Sequence, residues 1–252
     1  MIIFFFLLIF DFNETGGPAS AYLANSSSIS SFDATAINPA ILPRIEHHGL
    51  ALVHTKPFGI SSLTYSRLII NWIRPALGFS FSSFGQTGYQ ENILSLATAF
   101  AVNNNISYGI IFKGYYLKIN DYGSDFFPSL NLGVLYTNNN YRLAAVFEDL
   151  NNPKNRIGDL IPLSLRIGGT LIPNNNLSFS IDFLKNINFE RFFAGIEFDL
   201  LPIFSFRTGV ATNPYLIAGG FGFFFKHLCF DYAYQYHPKL KETHVFSLAI
   251  KS

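Results

Sequence analysis

Along the back half of the chain, apolar and polar residues alternate with a period of two. Leu163, Leu165, Ile167 and Leu171 interleave with Ser164, Arg166, Gly168 and Thr170. Leu177, Phe179, Ile181 and Phe183 then interleave with Ser178, Ser180 and Asp182. Successive side chains of a strand point to opposite faces, so each run has one apolar, aromatic face and one small or charged face. A soluble sandwich shows the same alternation. Here it continues hairpin after hairpin with scarcely a helical stretch, which is the repeated signature of a transmembrane β-barrel. The pattern predicts about fourteen strands, near 47–56, 62–71, 75–84, 90–102, 106–118, 126–137, 141–149, 162–172, 177–185, 191–200, 203–211, 215–225, 228–236 and 243–251. Such lengths suit the roughly 9–11 residues that a tilted membrane strand needs.

The connections alternate in length. Short turns fall at Asn103-Asn104-Asn105, Asn138-Asn139-Asn140 and Asn174-Asn175-Asn176, and near Leu201-Pro202 and Lys226-His227. Asparagine tolerates the left-handed backbone of tight turns. Longer connections run from Asn120 to Asp125, Asn151 to Ile161, Ile187 to Glu190 and His237 to Glu242. Outer-membrane barrels keep short turns on the periplasmic side and longer loops outside. That orientation places both ends of the barrel in the periplasm and requires an even strand number.

Composition changes this picture in two ways. Charged residues make up only 13% of the 252 residues, against 17% aromatic, about half the usual charged share of a soluble globular protein. A lipid-facing surface needs no more. The formal net charge of +1 gives no ground for nucleic-acid binding. The lone Cys229 rules out an internal disulfide and reads as a small barrel residue.

The one long apolar run, Ile2 to Phe10, is too short for a membrane helix and fits the core of a signal peptide, with Ala19-Ser20-Ala21 as a cleavage pattern. A buried strand is its other reading. The chain thus divides into a signal-like segment at 1–21, a small and polar segment at 22–45 and a barrel at 46–252. Within 22–45, Ser31 or Asp33 is positioned to cap a short helix that Pro39 and Pro43 would stop. The segment is too polar for lipid and directly precedes the first strand. It is expected to enter the periplasmic mouth as a plug, with Asn38 bonding backbone groups inside the barrel and Pro39 stiffening the turn.

Face assignment follows from parity. Phe179, Phe198, Phe206, Phe230 and Phe246 share the apolar face, while Arg166, Asp182, Glu197, Arg207 and Asp231 share the other. A charged Arg or Lys on the lipid face at mid-bilayer costs about 2–4 kcal/mol, so the charged face is the lumen. These five residues are expected to form a lumenal ladder of paired charges. The ladder either braces a filled barrel or lines a conduit.

Three stretches carry a family resemblance. Phe32-Asp33-Ala34-Thr35-Ala36-Ile37-Asn38-Pro39-Ala40 resembles the segment near the mature N-terminus of FadL-type and PorV/PorQ-like outer-membrane proteins. Phe147-Glu148-Asp149-Leu150-Asn151-Asn152, then Ile161-Pro162-Leu163-Ser164-Leu165-Arg166-Ile167-Gly168, is similar to a stretch of PorV/PorQ-like proteins. Asp231-Tyr232-Ala233-Tyr234, then His237-Pro238, Leu240, Thr243-His244 and Phe246-Ser247-Leu248, resembles that family's closing hairpin. Ile41 replaces the family's glycine, Val245 stands where arginine is usual, and the chain is short, which argues against elaborate surface loops. The resemblance implies a fourteen-stranded barrel whose N-terminal segment, with Phe32, Asp33, Asn38 and Pro39, serves as a hatch.

No P-loop, nucleophile elbow or C-x-x-C occurs in the sequence. Of six histidines, His47 and His48 point to opposite faces of a strand, and His237 and His244 only flank one loop, a poor basis for a metal site. We therefore expect a non-enzymatic protein of the cell outer membrane without cofactor or metal. Its expected partner is outer-membrane lipid. The resemblance implies an accessory of protein secretion or surface assembly, docking secretion-system or surface proteins. The alternative it implies is a FadL-like channel passing a lipophilic ligand or other small molecule.

Overall fold

The computed structural model describes residue 27 and residues 32–156 and 158–252. The expected signal-like segment and most of 22–31 lie outside the described residues. Fourteen antiparallel strands close into one barrel. They are β1 (Gly49–Thr55), β2 (Thr64–Trp72), β3 (Leu77–Gln86), β4 (Tyr89–Ala101), β5 (Ile106–Ile119), β6 (Gly123–Thr137), β7 (Tyr141–Glu148), β8 (Ser164–Asn174), β9 (Leu177–Lys185), β10 (Glu190–Leu201), β11 (Phe204–Ala211), β12 (Leu216–Phe225), β13 (Leu228–Tyr236) and β14 (Thr243–Lys251). Each strand pairs with its sequence neighbours, and β1 pairs with β14 from Gly49↔Lys251 to Thr55↔Val245. Closure leaves no free edge, the condition for a sheet in lipid.

Strand boundaries follow the alternation to within about three residues. The β3–β4 hairpin is tighter than the sequence suggested. Both strands extend until only Thr87 and Gly88 connect them, and Gly88 has φ 91°, a value that suits glycine alone. The hairpin turns through the asparagine triplets and near Pro202 and His227 lie at one end of the barrel, together with the outset of β1 and the end of β14. The β5–β6, β7–β8, β9–β10 and β13–β14 connections lie at the other, which we call the loop end.

Outward side chains are apolar and paired across strands. Phe183 lies opposite Phe192 with ring centroids 4.6 Å apart, and Tyr232 opposite Phe246 at 5.3 Å. Aromatic pairs of this kind add to sheet stability beyond their area. Phe179, Phe198, Phe206, Phe230 and Phe246 all lie exposed on this outer wall. Between the outward positions, Arg166, Asp182, Arg207 and Asp231 are buried, and Glu197 is half-buried.

The segment before β1 folds inside the barrel at the short-turn end. It makes two 3-10 turns, Phe32–Thr35 and Pro39–Arg44. The expected caps, Ser31 and the Asp33 side chain, lie outside the described residues. The first turn ends before Pro39 as expected, but Pro43, expected as a stop, lies inside the second turn, which Pro39 opens and Asn38 caps, its Oδ1 accepting from Ala40 N at 3.0 Å. Proline is well placed there because the first N–H of a helix has no partner within it.

Candidate functional site: the lumen, its inner segment and its charged triads

The lumen is built from the inward positions of every strand, and residue size decides what fits. On β3, β5 and β6 those positions include Gly78, Gly109 and Gly133. A Cβ on Gly133 would lie 2.2 Å from Asn38 Oδ1 and 2.8 Å from Pro39 Cδ. One on Gly78 would lie 2.1 Å from Thr35 Cγ2, and one on Gly109 2.8 Å from Pro39 Cβ. Glycine at these positions is what lets the 32–45 segment lie against the wall. Gly109 and Gly133 are register partners, and Ala99 is opposite Gly109 on β4, so the small residues form a continuous floor.

On that floor Ala34, Ala40, Ile41 and Leu42 pack against Ala97, Ala99, Ile111, Leu135 and Ala144. Polar contacts fix the segment further. Ser107 Oγ donates to Ala40 O at 2.7 Å, and Asn38 Nδ2 donates to Val134 O at 3.5 Å. Arg44 donates from both terminal nitrogens to the turn carbonyls of Asn104 (2.7 Å) and Asn103 (2.9 Å). Partial burial pulls the Arg44 pKa below its ordinary value, yet guanidinium stays charged throughout the physiological range. Phe32 and Asp33 lie in the first 3-10 turn, and their side chains lie outside the described part. Replacing Arg44 with alanine is expected to fray this end of the segment by about 1 kcal/mol. Faster hydrogen exchange at the amides of Ile41 and Ile45, with strand amides unchanged, checks it.

The charges on the other side of the lumen form two separate triads. Arg207 lies opposite Glu197 on β10, with Nε 2.9 Å from its carboxylate. It also reaches past β12 to Asp231 on β13, Nη1 to Oδ1 at 2.5 Å. The crossing is open because β12 presents Gly220 and Gly222 there. A Cβ on Gly222 would stand 2.8 Å from Arg207 Nη1 and 2.7 Å from Asp231 Oδ1. Arg166 on β8 pairs with Glu148 on β7 at 3.0 Å and approaches Asp182 on β9 at 3.8 Å. The two arginines also sit over rings, Arg166 over Phe193 at 5.3 Å and Arg207 over Phe224 at 6.0 Å.

The single ladder expected from parity is therefore divided. Asp182 and Glu197 lie on adjacent strands, but Asp182 is opposite Phe193 and Glu197 opposite Ser178. That is four residues apart, about 13 Å along the strand. Glu148 completes the first triad and was missed as a charge, although its parity with Ala144 and Val146 marks it as inward. Lys113, Tyr115, Ser129 and Asp149 make a further buried cluster at the loop end, also recoverable from parity on β5 and β6.

Between the 32–45 segment and β8–β10, a cavity of about 340 Å³ opens at the short-turn mouth. Arg44, Glu46, Asn71, Arg142, Asp199 and Lys251 are among its lining. Its cations and carboxylates are mixed, so it presents no single sign of charge. Among the described residues no group of three or more His, Cys, Asp or Glu side chains is placed to hold a metal ion. His237 stacks edge-on with Phe58, and His244 lies beside Tyr232.

No protein-family model matches the sequence, and no curated protein matches it. Solved structures do match the fold. A FadL homologue of Pseudomonas aeruginosa aligns over 95% of this chain and 97% of its own, with 12% identity and a TM-score of 0.62. The toluene transporter TodX of Pseudomonas putida aligns over 95% and 96%, with 9% identity and a TM-score of 0.61. A TodX variant described as a monoaromatic hydrocarbon channel aligns over 92% and 97%, with 10% identity and a TM-score of 0.62. At such identities the likeness speaks for the fold, which is that of FadL-type transporters. The resemblance to PorV/PorQ-like proteins rests on the three sequence stretches alone.

Proposed function

We propose that this chain is an outer-membrane channel for small apolar molecules, non-enzymatic, with residues 22–45 as its hatch. The observation that carries the reading is the seat of residues 32–45 on the glycine floor at one mouth of the barrel. A segment seated in a mouth and built to fit one side of its wall narrows that mouth and is placed to control passage through it. Solved structures of the same fold over nearly their whole length, among them one described as a toluene transporter, support a solute of that class. Placement in the outer membrane is supported by the closed sheet, the apolar outer wall and the low charge of the sequence. The long connections then face the cell exterior and the hatch faces the periplasm.

Deleting residues 22–38 while keeping the leading segment tests this reading. The deletion is expected to raise the permeability to toluene of vesicles bearing lipopolysaccharide in their outer leaflet. A docking platform predicts unchanged permeability together with loss of a bound protein or of barrel stability, and that outcome would overturn the channel.

A further inference from the structure

We propose that the outer wall over β1–β5 is a docking site for one molecule of the outer-leaflet glycolipid, lipopolysaccharide. Its acyl chains would lie in an apolar groove and its phosphorylated sugars in a polar one. This inference rests on the outer-membrane placement and orientation proposed above, and not on the identity of the solute. The outward positions of four adjacent strands turn polar on one register row. His54 on β1 lies opposite Ser66 on β2, Ser66 opposite Ser83 on β3, and Ser83 opposite Asn92 on β4. Aromatic residues bound the row, Phe246 on β14 beside His54 and Tyr116 on β5 beside Asn92. One rung nearer the loop end, Thr64, Gly85, Gln90 and Lys118 make a second row. One rung nearer the short turns, Leu52, Leu68, Phe81 and Leu94 are apolar.

On β13 the apolar band is taller. Its outward run from Leu228 to Tyr236 spans roughly 27 Å along the strand, whereas the run on β1 ends after Leu50 and Leu52, roughly 7 Å. A polar side chain turned to hydrocarbon without partners is costly. The row pairs partly with itself, His54 Nδ1 lying 2.9 Å from Ser66 Oγ and Gln90 Nε2 donating to Ser83 Oγ at 3.3 Å. So short an apolar band draws the headgroup region down to it. Two depressions meet along the row. An apolar one of about 450 Å³, lined by Leu52, Leu68, Phe81, Phe246 and Leu248, reaches His54, Ser66 and Ser83. A polar one of about 490 Å³, lined by Ser83, Gly85, Gln86, Gln90 and Lys118, continues to the loop end. Together they fit a lipid lying along the wall. The polar part suits sugar and phosphate. No outward position of β1–β5 carries a carboxylate. Lys118 is exposed and has no carboxylate partner among the described residues, and lysine holds phosphate as a point charge. A phospholipid would satisfy the lysine and leave the hydroxyl and amide rows bare.

The test takes the full chain in detergent, adds purified lipopolysaccharide or, separately, phosphatidylglycerol, and counts the retained lipid by native mass spectrometry. One lipopolysaccharide per chain is expected, and phosphatidylglycerol is expected to be lost. Lys118→Glu should weaken retention about tenfold, the scale of a lost charge-assisted hydrogen bond. Ser66→Leu with Ser83→Leu should weaken it similarly by making the row apolar. Lys239→Glu, on the β13–β14 connection, should change nothing. Equal retention of both lipids, or retention unaffected by Lys118→Glu, overturns the site. A lipid-free dimer that Ser66→Leu with Ser83→Leu dissociates overturns it in favour of a second copy of the chain. Specific retention by a chain that leaves toluene permeability at the level of empty vesicles keeps the site and overturns the channel reading. Toluene passage without specific retention overturns the site alone.

Discussion

Replacing Arg207 with methionine is expected to destabilise the barrel by about 3–5 kcal/mol, the usual result of removing one partner from a buried ion pair. Arg207 is 3% exposed and serves Glu197 and Asp231 at once. Without it, carboxylates from β10 and β13 lose the one cation that bonds to both of them. The loss is read from the midpoint of denaturant unfolding of the reconstituted barrel, followed by the single tryptophan, Trp72. The triple variant Arg207→Met, Glu197→Gln, Asp231→Asn removes the whole charge set and should recover most of the loss, because uncharged groups of the same shape need no counterion. An unshifted midpoint in the single variant would show that water reaches the triad and that this side of the lumen is open.

Replacing Gly133 with valine is expected to lift residues 32–45 off the wall. The new side chain occupies the space of Asn38 Oδ1 and Pro39 Cδ. Either wall or segment must move. The wall at Gly133 is bonded to β5 and β7 on both sides, while the segment is held by a few side-chain contacts, so the segment moves. Overpacking typically costs about 1–3 kcal/mol, and each 1.4 kcal/mol is tenfold in an equilibrium. A cysteine at Ala40, in a Cys229→Ala background, should therefore react with a periplasmic thiol reagent about tenfold faster. Gly219→Ala, whose Cβ meets nothing closer than Arg207 O at 3.9 Å, should leave the rate unchanged. Equal rates in both variants would mean that the floor plays no part in seating the segment.

The barrel was legible because a wall with lipid on one side and lumen on the other imposes a strict period of two, and the asparagine triplets mark where it is reset. The site was legible only in part. Parity tells which face Arg166, Asp182, Glu197, Arg207 and Asp231 occupy, but their height depends on register, which no local pattern encodes. Two triads therefore read as one ladder, and Glu148, at the very end of β7, carries no pattern of its own beyond its parity with Ala144 and Val146. The cap at Asn38 was hidden because 3-10 turns this short lack a periodic face. The glycine floor was hidden for a related reason. Gly78, Gly109 and Gly133 read as weak strand positions until the segment that lies on them is placed.

The role we propose for this chain is passage of small apolar molecules across an outer membrane. Uptake of radiolabelled toluene by cells with a lipopolysaccharide-bearing outer membrane, with and without the chain, tests it most directly once the protein is located in the outer-membrane fraction. Several-fold faster uptake is expected with the chain present, faster still when residues 22–38 are deleted. Uptake equal to that of cells lacking the chain, for both forms, would contradict it.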